Sequence, residues 1–312
     1  MKRRIAISGG DSPVGRALAK VLDARSIGYR ILLGSKPASA LSPQGEYLVG
    51  DETDSAKVEW LLVQAEALVH LGRVDVSPSD DFCQGELAGQ ATLIPAAQER
   101  SIELHFLSSA EVFTPSPDAV DEQAPVAPSS PLGVAKVAWE QTLRIWREHK
   151  GLQYVVYRVP TVVAEYLSYG NTCARYLRQG FKSGNIRPQA YRGERWGLSY
   201  IHAEDVATVI ADTIGRRDAW GETFHLSADR WISEIDLAEM SYRVLNDFMI
   251  PCKWTPPTPD VPTELVGDVW LDNRKAKQRL GLSVENSISR LARKLRLWVD
   301  DFGSTARLPG AK

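Results

Sequence analysis

Short apolar runs alternate with stretches of helical spacing along the first half of the chain. Ile5, Ala6 and Ile7 make an uninterrupted apolar run, the mark of a short buried strand. Arg16–Asp23 then places Ala17, Leu18, Val21 and Leu22 on one helical face. The same two patterns recur. Tyr29–Leu33, Glu46–Val49, Ala67–Leu71, Glu103–Leu107 and Gln153–Val159 read as strands. Ser55–Gln64, Gln84–Arg100 and Pro131–Lys150 read as helices, with Asp54 or Ser55 capping the first. Strands separated by helices at short intervals predict a parallel sheet covered on both faces, a doubly wound α/β fold. Between them, Thr114–Pro131 is rich in proline, serine and acid and reads as a loop.

Beyond Val159 the pattern is irregular. Helices are expected over Ala174–Phe181, Glu204–Ile214, Glu234–Leu245, Asp272–Leu280 and Val284–Asp300, and a strand over Thr223–Leu226. Ser233 is placed to cap the third helix, with Asp236 completing a weaker capping box. Five prolines in Pro251–Pro262 predict a rigid connector.

Composition narrows the class. The chain has 312 residues, 44% hydrophobic and 24% charged, so a large core is affordable. A net charge of −2 favours neither nucleic acid nor an anionic membrane. Cys83, Cys173 and Cys252 are too scattered for a zinc site or a disulfide framework, and a reduced, cytoplasmic setting is expected. Only three apolar residues follow the basic start before Ser8, too few for a signal-peptide core, and no run approaches the roughly 18 a membrane span needs.

The candidate chemistry begins where the first strand ends. Ser8–Gly15 is a glycine-bearing turn between a strand and a helix, a geometry that aims backbone N–H groups and the helix dipole at a phosphate. Gly9 and Gly10 permit the turn, Gly15 permits close packing, and Pro13 suits a first helical turn. Ser12 stands where a regular spacing would place glycine; the alternative is a tight connection without ligand. The second strand ends Gly34-Ser35-Lys36-Pro37, with no carboxylate for an adenosine ribose but a hydroxyl and an amine for a 2′-phosphate. That favours NADP, with NAD the other option; the alternative is a solvated turn lysine. Ligands in such sheets lie at the carboxyl ends of strands, so Gly9, Asp51, Gly72 and Ser109 are expected to line one crevice.

Eight motifs in this order resemble the extended short-chain dehydrogenase/reductase superfamily, in its NAD-dependent epimerase/dehydratase branch: ISGGDSPVG (Ile7–Gly15), GDETD (Gly50–Asp54), ALVHLG (Ala67–Gly72), LSSAEVF (Leu107–Phe113), GVAK (Gly133–Lys136), YRVPT (Tyr157–Thr161), YIHAEDVA (Tyr200–Ala207) and LDNRKAKQRLG (Leu271–Gly281). The resemblance implies a Rossmann domain over 1–165, rejoined by part of 198–228, and a smaller α/β substrate domain over 166–312. It implies that Gly9, Gly10, Ser12, Pro13, Val14 and Gly15 hold the pyrophosphate, that Ser35 and Lys36 meet the adenosine ribose, and that Asp51 with Glu52 meets the adenine. Leu71, Gly72 and Pro160 pass near the dinucleotide. Ser109 matches the serine that binds the substrate oxygen, and Lys136 the lysine that binds the nicotinamide ribose and lowers a tyrosine's pKa.

That tyrosine is missing: four residues before the lysine stands Leu132, which cannot move a proton. Glu111, two residues past Ser109, is one replacement; its alternative is a solvated loop carboxylate. Tyr166, Tyr169, Tyr191 and Tyr200 are others, against the ordinary reading of packing residues. His70 and His202 are expected to be structural, and no metal is expected. The arginine that holds a diphosphate in nucleotide-sugar epimerases is replaced by Leu198 or Ser199, with Arg192 and Arg195 offset. Trp139, Trp196 and Trp220 suggest an aromatic, uncharged substrate, or fill the core. The expected function is an atypical NADP-dependent oxidoreductase on a carbonyl/alcohol substrate; the alternatives are a non-catalytic NAD(P)-binding sensor or assembly protein, and a nucleotide-sugar epimerase or dehydratase. The expected partner is a small molecule, with a homodimer as one assembly, and neither nucleic acid nor membrane.

Overall fold

The computed structural model describes residues 4–34, 44–72, 80–165, 172–188, 197–256 and 269–305. The first strand, β1 (Arg4–Ser8), leads into α1 (Pro13–Ala24). The helix starts three residues before the apolar pattern begins, because Ser12 Oγ accepts the Gly15 N–H at 3.0 Å and Pro13 fills the first turn. Next come β2 (Gly28–Leu33), β3 (Gly45–Val49), α2 (Ser55–Leu62), β4 (Ala67–His70), α3 (Asp80–Glu99), β5 (Glu103–Ser109), β6 (Ser116–Val120), α4 (Pro131–Lys150) and β7 (Tyr154–Val159). The remainder is β8 (Thr161–Val163), α5 (Arg175–Ser183), β9 (Asn185–Ile186), β10 (Gly197–Leu198), β11 (Tyr200–His202), α6 (Ala203–Thr213), β12 (Glu222–His225), β13 (Ile232–Ser233), α7 (Glu234–Asp247), β14 (Lys253–Trp254), β15 (Val269–Leu271), α8 (Arg274–Leu280) and α9 (Ser287–Thr305).

Seven strands form one parallel sheet in the order β12-β7-β5-β4-β1-β2-β3. The period-2 pleat of β1 sends Ile5 and Ile7 to one face and Ala6 to the other. The first face packs against α1, α6 and α8 through residues such as Leu18, Ile210 and Ala276. The second packs against α2, α3 and α4 through Leu61, Leu93 and Leu143. Strand order reverses between β1 and β4, so a crevice opens at their carboxyl ends. This is the doubly wound sheet that the alternation predicts.

Two expectations need correction. Thr114–Pro131 is not all loop: β6 lies within it and pairs in parallel with β15, roofing a small core of Val112, Phe113 and Leu271. The proline-rich connector likewise contains β14, paired with β9. A β-bridge of two to five residues carries too few side chains for its period to show. The helices α5, α7 and α9 enclose a third core around Leu177, Leu237, Leu295 and Trp298. Ser233 caps α7 as expected, accepting the Asp236 N–H at 3.0 Å.

Candidate active site

The crevice is built by two strand ends pressed together. Gly9 has φ +72°, and a Cβ there would lie 2.0 Å from the Gly72 carbonyl oxygen. No side chain fits between the ends of β1 and β4. A Cβ on Gly10 would meet Ile31 at 2.3 Å, and one on Gly15 the Gly10 carbonyl at 2.5 Å, so these glycines let the loop lie on β2 and α1 lie on the loop. Ser12 is buried and serves as the helix cap; Val14 is buried under the same turn. The result is a bare backbone cradle with the start of α1 at the sheet's switch point, which fits the phosphates of a dinucleotide.

The neighbouring positions fall along the same rim. Gly9, Gly72 and Asp51 follow the carboxyl ends of β1, β4 and β3, and Ser109 is the last residue of β5, all in one sheet. At about 4.8 Å per strand, roughly 19 Å separates β5 from β3. Asp51 folds back on its own turn, accepting the Thr53 N–H at 2.9 Å. Glu52 is buried against α3, where its backbone carbonyl takes the Thr92 hydroxyl. Leu71 is buried and its N–H reaches the Ser8 carbonyl at 3.0 Å. Pro160 is buried between β7 and β8. Ser35 and Lys36 lie outside the described residues, as do Tyr166, Tyr169, Tyr191, Arg192, Arg195 and Trp196.

The reacting end is assembled from β5 and the start of α4. Ser109 Oγ accepts the Glu111 N–H at 3.1 Å, closing a single 3₁₀ turn over Ala110–Val112. That turn seats on α4 so closely that a Cβ at Gly133 would lie 2.0 Å from the Glu111 carbonyl. The Glu111 carboxylate takes a hydrogen bond from Ser130, whose oxygen caps α4 through the Gly133 N–H at 3.1 Å. Glu111 is thus fixed beside the first turn that carries Leu132. One turn further in, Lys136 is buried and donates to the wholly buried Glu86 on α3; its ammonium lies 4.8 Å above the Phe106 ring. A Cβ on Gly72 would lie 2.6 Å from Lys136 Nζ, so the lysine reaches the β4 end of the crevice. His70 is enclosed below, its Nδ1 sharing a hydrogen bond of 2.7 Å with Ser8 Oγ. Burial pulls its pKa down to about 4.

Several aromatic candidates are placed away from the crevice. Trp139 is fully buried, donates to the Glu86 carbonyl at 2.8 Å, stacks on Phe106 and lies tilted against His70. Trp220 donates at 2.6 Å to Glu103, the first residue of β5, and so lies at the opposite end of the sheet. Tyr200 is buried and its hydroxyl reaches Ser287 at 3.3 Å. Trp139 and Tyr200 are core residues and Trp220 packs half-buried against the core; the polar atoms of all three are bonded within the protein. His202 is buried and neutral for the same reason as His70, with its pKa lowered to about 4, and it contacts the Ser287 carbonyl at 2.9 Å.

The Glu86–Lys136 pair was not anticipated from sequence, yet a signal existed. Lys136 shares its helix face with Trp139 and Leu143, and Glu86 shares one with Leu93 and Ala97. A charge on a buried stripe needs an opposite charge.

A family model described as "NAD dependent epimerase/dehydratase family" matches residues 5–225. A dTDP-glucose 4,6-dehydratase of Mycolicibacterium smegmatis is 25% identical over 235 residues, spanning 68% of this chain and 70% of that enzyme. A uronate dehydrogenase of Pseudomonas putida is 24% identical over 160 residues, 50% of this chain and 60% of that enzyme. Among solved structures, a UDP-glucose 4-epimerase from Brucella ovis in complex with NAD superposes with a TM-score of 0.79 at 18% identity, covering 96% of this chain and 98% of that one. DesIV, a dTDP-glucose 4,6-dehydratase from Streptomyces venezuelae with NAD and TYD bound, gives 0.78 at 18% identity over the same shares. Together with the sheet order and the glycine cradle, the match over residues 5–225 places this chain in the NAD-dependent epimerase/dehydratase family.

Proposed function

We propose that this protein is a nicotinamide-dependent oxidoreductase acting on a carbonyl/alcohol pair, with Glu111 in place of the family tyrosine. The observation that carries this is the seating of the 3₁₀ turn on α4, which holds a serine hydroxyl and a carboxylate together beside Leu132. A nicotinamide bound in the crevice gives or takes the hydride. In the reducing direction the carbonyl carbon gains that hydride and the oxygen gains a proton. Ser109 has an acceptor position occupied by the Glu111 N–H, which leaves its O–H to donate a hydrogen bond to the substrate oxygen while Glu111 supplies the proton. Glu111 is exposed, so water can return the proton it delivers. Lys136 spends one of three N–H bonds on Glu86 and has others for a ribose hydroxyl. Leu132 contributes an apolar wall. The third core, around α5, α7 and α9, supports a substrate domain within 166–312.

A second reading, a cofactor-binding protein without chemistry, is favoured by one observation: Glu86 neutralises the lysine whose charge would otherwise act on the site. The test is to mix the protein with reduced nicotinamide dinucleotides and a panel of ketones, aldehydes and sugar nucleotides, following nicotinamide absorbance. Turnover lowered about 10²–10³-fold by Ser109→Ala supports the enzyme. Binding without turnover on the whole panel supports the second reading. Leu132→Tyr sharpens the outcome: with Glu111 as proton carrier, turnover stays level or drops, whereas Glu111→Gln lowers it about 10²-fold.

A further inference from the structure

The second strand ends in a residue without a side chain, and another part of the chain supplies a carboxylate there. Gly34 follows β2 directly. Its N–H donates to Asp11 Oδ2 at 2.6 Å. A Cβ built on Gly34 would lie 3.2 Å from that same oxygen. The Asp11 carboxylate therefore stands where an acidic side chain at position 34 would point. The placement is fixed from both sides: the Gly10 N–H reaches the Leu32 carbonyl at 3.2 Å, and the Gly50 N–H reaches the Leu33 carbonyl at 2.8 Å.

We propose that Asp11 selects the cofactor: it accepts the adenosine ribose hydroxyls and repels a 2′-phosphate, so the crevice takes NAD in preference to NADP. The inference rests on the nicotinamide-dependent reading above. A carboxylate is an acceptor only, matched by two hydroxyl donors and mismatched by a phosphate of the same charge. In a doubly wound sheet the end of the second strand is where the ribose of the adenosine half lies. The sequence places Ser35 and Lys36 next to this point, which argues for the phosphate. The structure adds an opposing charge that comes from the glycine turn, 23 residues away in sequence. The two signals disagree, and the fixed hydrogen bond of Asp11 to the strand end decides for NAD.

The experiment is direct binding, by calorimetry or by nicotinamide fluorescence, of NADH and NADPH to the full chain and to three variants. The expected result is a dissociation constant for NADPH at least about tenfold above that for NADH. Asp11→Asn keeps an acceptor for the Gly34 N–H and removes the charge, so the preference is expected to shift about tenfold or more toward NADPH. Asp11→Ser removes the reach as well, and adding Gly34→Asp to it returns a carboxylate to the same place and restores the NADH preference. A residue that merely braced the turn would not be rescued from the strand side. Native protein that binds NADPH as well as or better than NADH, or variants whose ratio does not move, overturns the role of Asp11 and leaves the nicotinamide reading standing. Native protein that binds neither nucleotide overturns both.

Discussion

Among the described residues two lysines are buried against glutamates, and the two pairs are built for different work. Lys294 on α9 is 1% exposed and places all three of its N–H bonds inside the protein: the Val163 carbonyl at 3.1 Å and both oxygens of Glu204 at 3.0 and 2.7 Å. Glu204 is partly exposed and has Arg290 as a second cation. That pair is a saturated bolt joining α9 to α6 and β8. Lys136 has one acceptor among the described residues, Glu86, which is fully buried. Its remaining donors face the end of β4 at Gly72. A buried cation that has spent all its donors holds structure; one that has donors to spare, at a strand end, is set up to hold something else.

The comparison can be broken by removing one partner from each pair. Glu86→Leu leaves a nearly buried ammonium without its counter-charge, and a loss of about 3–5 kcal/mol in denaturant unfolding is expected. Lys294→Met leaves Glu204 with Arg290 and with solvent, and about 2 kcal/mol is expected from the lost hydrogen bonds. Nucleotide separates the two further: a saturating dinucleotide is expected to recover part of the Glu86→Leu loss, through ribose contacts to Lys136, beyond what it adds to the native protein. Equal costs for the two variants, with no selective recovery, would mean that both pairs are bolts.

A smaller effect follows from the histidines beside each pair. His70 lies near Glu86 and Lys136, and His202 near Glu204 and Lys294; burial lowers both to about 4 from an ordinary 6.5. Between those values the unfolded chain binds a proton that the folded chain refuses. Stability is therefore fully present above about pH 6.5 and is lost as pH falls toward about 4, by about 1–3 kcal/mol per histidine. Unfolding curves at pH 7.5 and 4.5 measure the sum. His202→Gln keeps a donor for the Ser287 carbonyl and removes the titration, so its slope between the two pH values is expected to be shallower. An unchanged slope would show that His202 titrates normally.

How far the sequence reaches depends on the range of the interaction. Strands such as Ala67–His70 and helices such as Pro131–Lys150 were legible because burial on one or both faces leaves a period in the chain itself. Ser233 and the glycines of the first turn were legible because capping and tight turns are local; that Ser12 caps α1 was not, because the apolar period of that helix starts only after it. Lys136 and Ser109 were legible as positions, but their partners were not: Glu86 is 50 residues from Lys136, and Ser130 is 19 from Glu111. Asp11 was read as part of a turn, and nothing local says that its carboxylate crosses to Gly34. Trp139 and Trp220 were ambiguous for the same reason, since whether a tryptophan lines a pocket or a core depends on which helices and strands meet around it.

The finest comparison is between two capping serines wired alike. Ser130 accepts the Gly133 N–H at 3.1 Å and donates to Glu111; Ser233 accepts the Asp236 N–H at 3.0 Å and donates to that residue's own carboxylate at 2.6 Å. Alanine at either position removes one helix cap, so each is expected to cost about 1 kcal/mol in thermal or denaturant unfolding. The equality ends with chemistry. Ser233 binds an acid inside its own capping box, and its loss is expected to leave turnover within about twofold once folding is corrected for. Ser130 binds an acid from another element, and without it Glu111 is free to swing toward solvent. Turnover is then expected to drop by about tenfold, with KM little changed, because a proton carrier out of place lowers the reacting step rather than binding. Ser130→Thr returns the hydroxyl and is expected to recover both stability and rate. If Ser130→Ala and Ser233→Ala reduce turnover equally, the serine at the crevice is a cap like any other and Glu111 needs no support to act.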